Sequence, residues 1–205
     1  MANRFRLSLA AAVAALLLAA AGPAAALDLG GHDRDGTVIG LNFGSGWSKL
    51  AFTGSDGSDY ETGTELAFTG GINVGWARND NLIGSIGIYG WKESYAQNLT
   101  PISVTTFHFL GEVSWFPRGE GFWLKGGAGW GTLDVDAVLP QERVIYQKGG
   151  FTWSAGAGYE FRVADTAAIG IQYDYREVRV GQFEFLDNTV AKTHSLTCSL
   201  RFYMM

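Results

Sequence analysis

From Gly149 to Val163 the chain reads GGFTWSAGAGYEFRV. Phe151, Trp153, Tyr159 and Phe161 share one parity with the small Ala155 and Ala157, while Thr152, Ser154, Gly156, Gly158, Glu160 and Arg162 share the other. Successive side chains of a strand point to opposite sides, so a period of two marks an extended segment with two unlike faces. One face takes rings and the other takes almost nothing, and both have to find surroundings that suit them.

The pattern returns along the chain. Ile39, Leu41 and Phe43 alternate with Gly40, Asn42 and Gly44; Leu66, Phe68, Ile72, Val74 and Trp76 alternate with Ala67, Thr69, Gly71, Asn73 and Gly75. Leu82, Ile86 and Ile88 oppose Ile83, Ser85, Gly87 and Tyr89, and Phe107, Phe109, Val113 and Trp115 oppose His108, Leu110, Glu112 and Ser114. Phe122, Leu124, Ala128 and Trp130 alternate with Trp123, Lys125, Gly127 and Gly129; Ile169, Ile171, Tyr173 and Tyr175 alternate with Gly170, Gln172, Asp174 and Arg176. Leu196, Cys198, Leu200 and Phe202 alternate with Ser195, Thr197, Ser199 and Arg201. With Gly149 to Val163 this makes eight strands, and no helix-period segment interrupts them.

Short, turn-rich connections at 78–81, 117–121 and 164–166 take turns with longer polar ones at 48–62, 92–102, 132–145 and 177–188. Such a chain is an all-β, eight-stranded antiparallel up-and-down barrel with both termini on the tight-turn side. A water-soluble barrel would need charged residues along its polar face. Here that face is mainly Gly, Ser, Thr, Ala and Asn, which suits a narrow interior, so the apolar face points outward into lipid. Trp76, Trp115, Phe122, Phe161 and Phe202 lie toward the tight turns, and Trp47, Trp91, Trp130, Tyr146, Phe151 and Tyr175 toward the long connections. These predict two aromatic girdles at two bilayer interfaces.

The N-terminus adds a compartment. Arg4 and Arg6 precede an apolar run from Leu7 to Ala21 and the small-residue stretch Ala24 to Ala26, which predicts a signal peptide over residues 1–26 and a barrel domain over 27–205. The net charge of −5 becomes about −7 once those two arginines are removed, an acidic balance that argues against nucleic acid as a partner. Cys198 is the single cysteine and shares parity with Leu196 and Leu200, as a small apolar residue.

On these alternations and girdles, the chain from about Gly36 to Tyr203 resembles the small eight-stranded outer-membrane barrels of Gram-negative bacteria, the family of outer-membrane proteins A and X and the opacity-type surface proteins. The resemblance implies a monomer in the bacterial outer membrane with periplasmic termini, surrounded by outer-membrane lipids and lipopolysaccharide. It also implies insertion by the barrel-assembly machinery, which reads a last strand such as Leu196, Cys198, Leu200 and Phe202. This chain departs from that signal by running on through Tyr203 to Met204 and Met205.

The resembled family contains enzymes, so chemistry has to be sought residue by residue. Its lipid A deacylases carry His and Ser two positions apart on one face; His194 and Ser195 are adjacent and point to opposite faces. His108 is expected in the lumen as a hydrogen-bonded side chain. His32 and the Asp33-Arg34-Asp35-Gly36 stretch lack the downstream Glu of a calcium loop and read as a solvated turn. No catalytic, metal or cofactor site is expected. Glu112, Lys125, Glu160, Arg162, Asp174, Arg176 and Arg201 point inward, and Glu112, Lys125, Glu160 and Arg201 are expected to form one ion-pair layer near the tight-turn end. Three functions remain: a non-catalytic envelope or surface-interaction protein, a low-conductance pore, and an outer-leaflet lipid A-modifying enzyme.

Overall fold

The computed structural model describes residues 34–54, 57–61, 65–97, 100–119, 121–138, 143–183 and 186–204. The signal peptide expected over residues 1–26, together with His32 and Asp33, lies outside them. The described residues form nine strands: β1 Gly36–Thr53, β2 Asp59–Glu61, β3 Glu65–Asn79, β4 Leu82–Gln97, β5 Thr100–Trp115, β6 Phe122–Val138, β7 Arg143–Ala164, β8 Ala167–Phe183 and β9 Leu186–Met204. Each long strand pairs antiparallel with the next, and β9 returns to pair with β1 from Thr37↔Met204 to Thr53↔Asp187. That pairing closes an eight-stranded barrel, with β2 as a short return strand beside the far end of β1.

Local chemistry makes the tight turns. Asn79 accepts hydrogen bonds on Oδ1 from the backbone N–H groups of Asn81 (3.0 Å) and Leu82 (2.9 Å), the side-chain mimicry of a turn for which Asn is favoured. Gly119 takes a positive φ of 66° where the chain reverses between β5 and β6, a conformation that suits a residue without Cβ.

The outward face is apolar along the wall. Leu66, Phe68, Val74, Ile86, Ile88, Phe109 and Val113 are exposed, and none of the described residues covers them. On the expected girdles, Trp76, Trp115, Phe122, Phe161, Phe202, Trp47, Trp130 and Phe151 all face out, and Tyr175 is half-buried on the same side. Leu196, Cys198, Leu200 and Phe202 also alternate outward on β9. Trp91 and Tyr146 correct the girdle expectation. Trp91 is only 4% exposed and packs inside against Val104, Leu133 and Val178, with the partly buried Tyr146 beside it. Trp91 shares the parity of Tyr89 and Ile83, so nearness to a long connection misplaced a ring that the strand period turns inward.

The long connections are also shorter than expected. The β4–β5 ladder runs to Gln97↔Thr100, β6–β7 to Val138↔Arg143 and β8–β9 to Phe183↔Leu186. Strands of 15 to 22 residues exceed the roughly 9–11 that a tilted strand needs to cross a bilayer. Beyond the apolar band both faces can be wetted, so pairing goes on without the alternation that marks a lipid-embedded strand.

Ile171 faces out in register with Cys198, midway along β9 between Phe202 and His194, which puts it near the bilayer centre. Ile171→Arg is expected to destabilise the barrel by about 2–4 kcal/mol in urea titrations in lipid vesicles, because the charge has no solvation there. Ile171→Val should cost no more than about 1.5 kcal/mol.

Candidate functional site

The inward face fills the lumen in three tiers. Its residues fall on one face because the chemistry-bearing pairs are two apart, as in Glu160 and Arg162, Asp174 and Arg176, and Arg201 and Tyr203.

At the tight-turn end Glu160 is the centre. Its carboxylate accepts from Arg201 Nη1 at 2.8 Å, from the Tyr203 hydroxyl at 2.8 Å and from Arg34 Nη2 at 3.0 Å. Arg34 precedes β1 and also donates Nη1 to the backbone oxygens of Asp80 (2.8 Å) and Gly119 (2.7 Å). One guanidinium thus ties the start of the barrel to two turns and to β7. Its face lies 3.9 Å over the Phe116 ring, and Arg201 lies 4.5 Å over Trp123, so cations and buried rings stack across the opening.

The second tier sits deeper. Lys125 Nζ lies 2.9 Å from Asp174 Oδ1 and 3.4 Å from Glu112 Oε1, and Arg176 Nη2 lies 2.9 Å from Asp174 Oδ2. Tyr89 donates to Glu112 Oε2, and Gln172 donates to Asp174 at 2.7 Å. Two carboxylates face two cations, so the layer is neutral and hydrogen-bonded, as a buried ionic cluster has to be. Tyr89 can lie across the lumen because the wall beside it is bare: a Cβ on Gly71 or Gly87 would fall 2.3 or 2.5 Å from its ring.

The third tier, toward the long connections, is apolar. Ala67, Trp91, Val104, Leu133, Val178, Val180 and Ala191 pack together across the lumen. His108 is bonded to Thr152 at 2.8 Å and Thr106 at 3.2 Å, as a hydrogen-bonded lumen histidine. Among the described residues no three of His, Cys, Asp or Glu converge as metal ligands.

The four residues expected in one layer therefore occupy two. Glu112 meets Lys125 in the second tier and Glu160 meets Arg201 in the first. Distance from a turn, the basis of that expectation, does not by itself fix height around a tilted ring. Arg34, expected in a solvated turn, is instead buried at 1% exposure against Glu160, because it precedes the alternation and ring closure brings Glu160 to it. Tyr203 stood only as a departure at the C-terminus; the parity that it shares with Arg201 was the available signal.

A lipid-facing apolar wall closed around a filled polar interior defines the class of integral outer-membrane β-barrels. The family model described as outer membrane protein beta-barrel domain matches residues 11–202, and the chain belongs to that family. Among solved structures, Neisserial surface protein A is similar at TM-score 0.55 and 14% identity, over 83% of this chain and 99% of that one. Ail, the attachment invasion locus protein of Yersinia pestis, solved with the heparin analogue sucrose octasulfate, is similar at TM-score 0.56 and 15% identity, over 82% of this chain and 99% of that one. At such identities these likenesses concern the fold. No curated protein matches the chain in sequence.

Glu160→Ala would leave Arg201 and Arg34 facing each other without a carboxylate, and is expected to destabilise the barrel by about 3–5 kcal/mol. Arg34→Ala leaves the Glu160–Arg201 pair in place and should cost less. Urea unfolding of the two variants, followed by tryptophan fluorescence, ranks them.

Proposed function

We propose that this protein is a closed barrel of the outer membrane that serves the envelope as a rigid wall and presents its raised hairpins at the cell surface, with no transport path and no catalytic step. Both termini then lie in the periplasm and the long hairpins outside, as in barrels whose short turns are periplasmic.

The observation that carries the reading is the filled lumen. Trp123 at the tight-turn end, Leu110, and Leu133 with Val178 in the apolar tier are wholly buried, and two hydrogen-bonded charge tiers join them. An ion would have to displace paired charges and then cross an apolar tier, which works against a pore. The strand extensions add support, since they carry the hairpins beyond the bilayer. The names of the two similar structures, a surface protein and an attachment locus protein, are in keeping with this role.

In planar bilayers the wild type is expected to give no steady unitary current. The quadruple variant Trp91→Ala/Leu133→Ala/Lys125→Ala/Trp123→Ala, which thins all three tiers and is checked for folding by heat-modifiable gel mobility, should open. A wild type that conducts steadily would put the pore in place of the closed wall. Orientation is read separately on intact cells in a Cys198→Ala background: Ser58→Cys should react with an impermeant maleimide, and Arg118→Cys only after the envelope is opened.

A further inference from the structure

The outer wall departs from its apolar rule on the side formed by β1, β8 and β9. Two consecutive outward rows cross these strands. The lower row is Trp47, His194 and Tyr175, which are direct register partners, and the upper is Lys49, Lys192 and Glu177. In the lower row the Trp47 and His194 rings stack at 5.3 Å with 9° between their planes, Tyr175 meets His194 edge-on at 5.0 Å, and the Tyr173 hydroxyl bonds His194 Nδ1 at 2.6 Å. The result is a fixed aromatic platform.

Above it two like charges meet. Lys49 and Lys192 are directly opposite on paired strands, and like charges so placed repel. Glu177 is opposite Lys192 but is turned away from it, accepting instead from the Tyr175 hydroxyl at 2.7 Å and from Arg179 Nε at 2.6 Å. Lys49 reaches Glu61 at 3.0 Å, but both side chains are more than two-fifths exposed, so that pair contributes little. Among the described residues Lys192 makes no ion pair.

Height says what is opposite them. Lys192 lies ten residues along β9 from the girdle residue Phe202, which at about 45° of tilt is roughly 23 Å along the bilayer normal, close to the full apolar band of about 25 Å. The two ammonium groups therefore stand at the headgroup level of the leaflet on the hairpin side. On β6, across the barrel, the outward residues above Trp130 are Thr132, Asp134 and Asp136, and on β4 the exposed Lys92 is opposite Phe68 and Thr105, so it is at the β1–β9 seam that two lysines face each other.

We propose that Lys49 and Lys192, above the Trp47–His194 stack, form a docking site on the outer wall for the phosphate-bearing headgroup of a membrane lipid. A phosphate monoester carries about −1.5 to −2 charges near neutral pH, which complements two ammonium groups and relieves their repulsion. Its oxygens accept from both Nζ groups, the sugar or glycerol portion rests on the aromatic platform, and the acyl chains descend over Leu196, Ile171 and Phe43, which face out below. That the lipid belongs to the outer leaflet rests on the orientation proposed above; the site itself does not.

The test uses the full folded chain in dodecyl maltoside micelles, where orientation plays no part. Micelles are doped with bis-phosphorylated lipid A, with the same lipid stripped of phosphate, or with bis-phosphorylated lipid A in the presence of millimolar inorganic phosphate, and bound lipid is counted by native mass spectrometry. The wild type should retain the phosphorylated lipid, and Lys49→Ala/Lys192→Ala should hold it on the order of ten-fold more weakly or worse. Lys92→Ala, which removes an exposed lysine elsewhere on the wall, should bind as the wild type does. A second readout separates docking from structural support: Lys192→Ala should melt no lower than the wild type without lipid, but lower than it when phosphorylated lipid is present. Equal retention by the double variant, or equal retention of the stripped lipid, overturns the site. Displacement by millimolar inorganic phosphate overturns the lipid as its occupant.

Discussion

Without the ladder between β1 and β9 there would be no barrel. Lipid offers no partner to a backbone N–H or C=O, so a strand edge left open in the bilayer would strand a row of polar groups at several kcal/mol each. Pairing the first long strand with the last removes both edges at once. The other features follow from that ring: its inside has to be filled and its outside has to be apolar.

An eight-stranded ring has an interior just wide enough for side chains. The chain meets this with an inward face that is bare at some positions and bulky at others. Tyr89 lies over Gly71 and Gly87, and a Cβ at Gly158 would fall 2.5 Å from Trp123. The charged residues are admitted on the same terms, because a cation in so dry a space has to meet a carboxylate and every carboxylate oxygen needs a donor. Glu160, with Arg34, Arg201 and Tyr203 around it, meets that demand at one end, and Asp174, between Lys125 and Arg176, meets it deeper in. A lumen packed in this way leaves the protein two surfaces with which to act, the lipid-facing wall and the hairpins raised beyond it. The lysines of β1 and β9 lie where those two surfaces meet.

Much of the fold was legible because a β-strand has a strict period of two. Eight strands, their order, the inward charges and the outward rings could each be read from parity, and Glu160, Arg201, Glu112 and Lys125 do point inward. Trp91 and Tyr146 were misread where sequence position was allowed to outweigh parity. The lengths of the hairpins were missed for a different reason: outside the apolar band, backbone pairing leaves no alternation in the side chains.

Which side of every strand faces lipid is written in the chain itself, since the pattern belongs to the covalent order of side chains along an extended backbone. Which inward residue meets which depends on closure of the ring. Glu112 and Glu160 look equivalent from their distances to the tight turns, yet they sit in different tiers, because strand tilt and register around a closed ring set their heights. Arg34 has no period to announce it, and it reaches Glu160 only because closure brings the start of β1 beside the turns after β3 and β5. The opposition of Lys49 and Lys192 likewise exists only across the seam, between residues far apart in the chain that closing the ring places side by side.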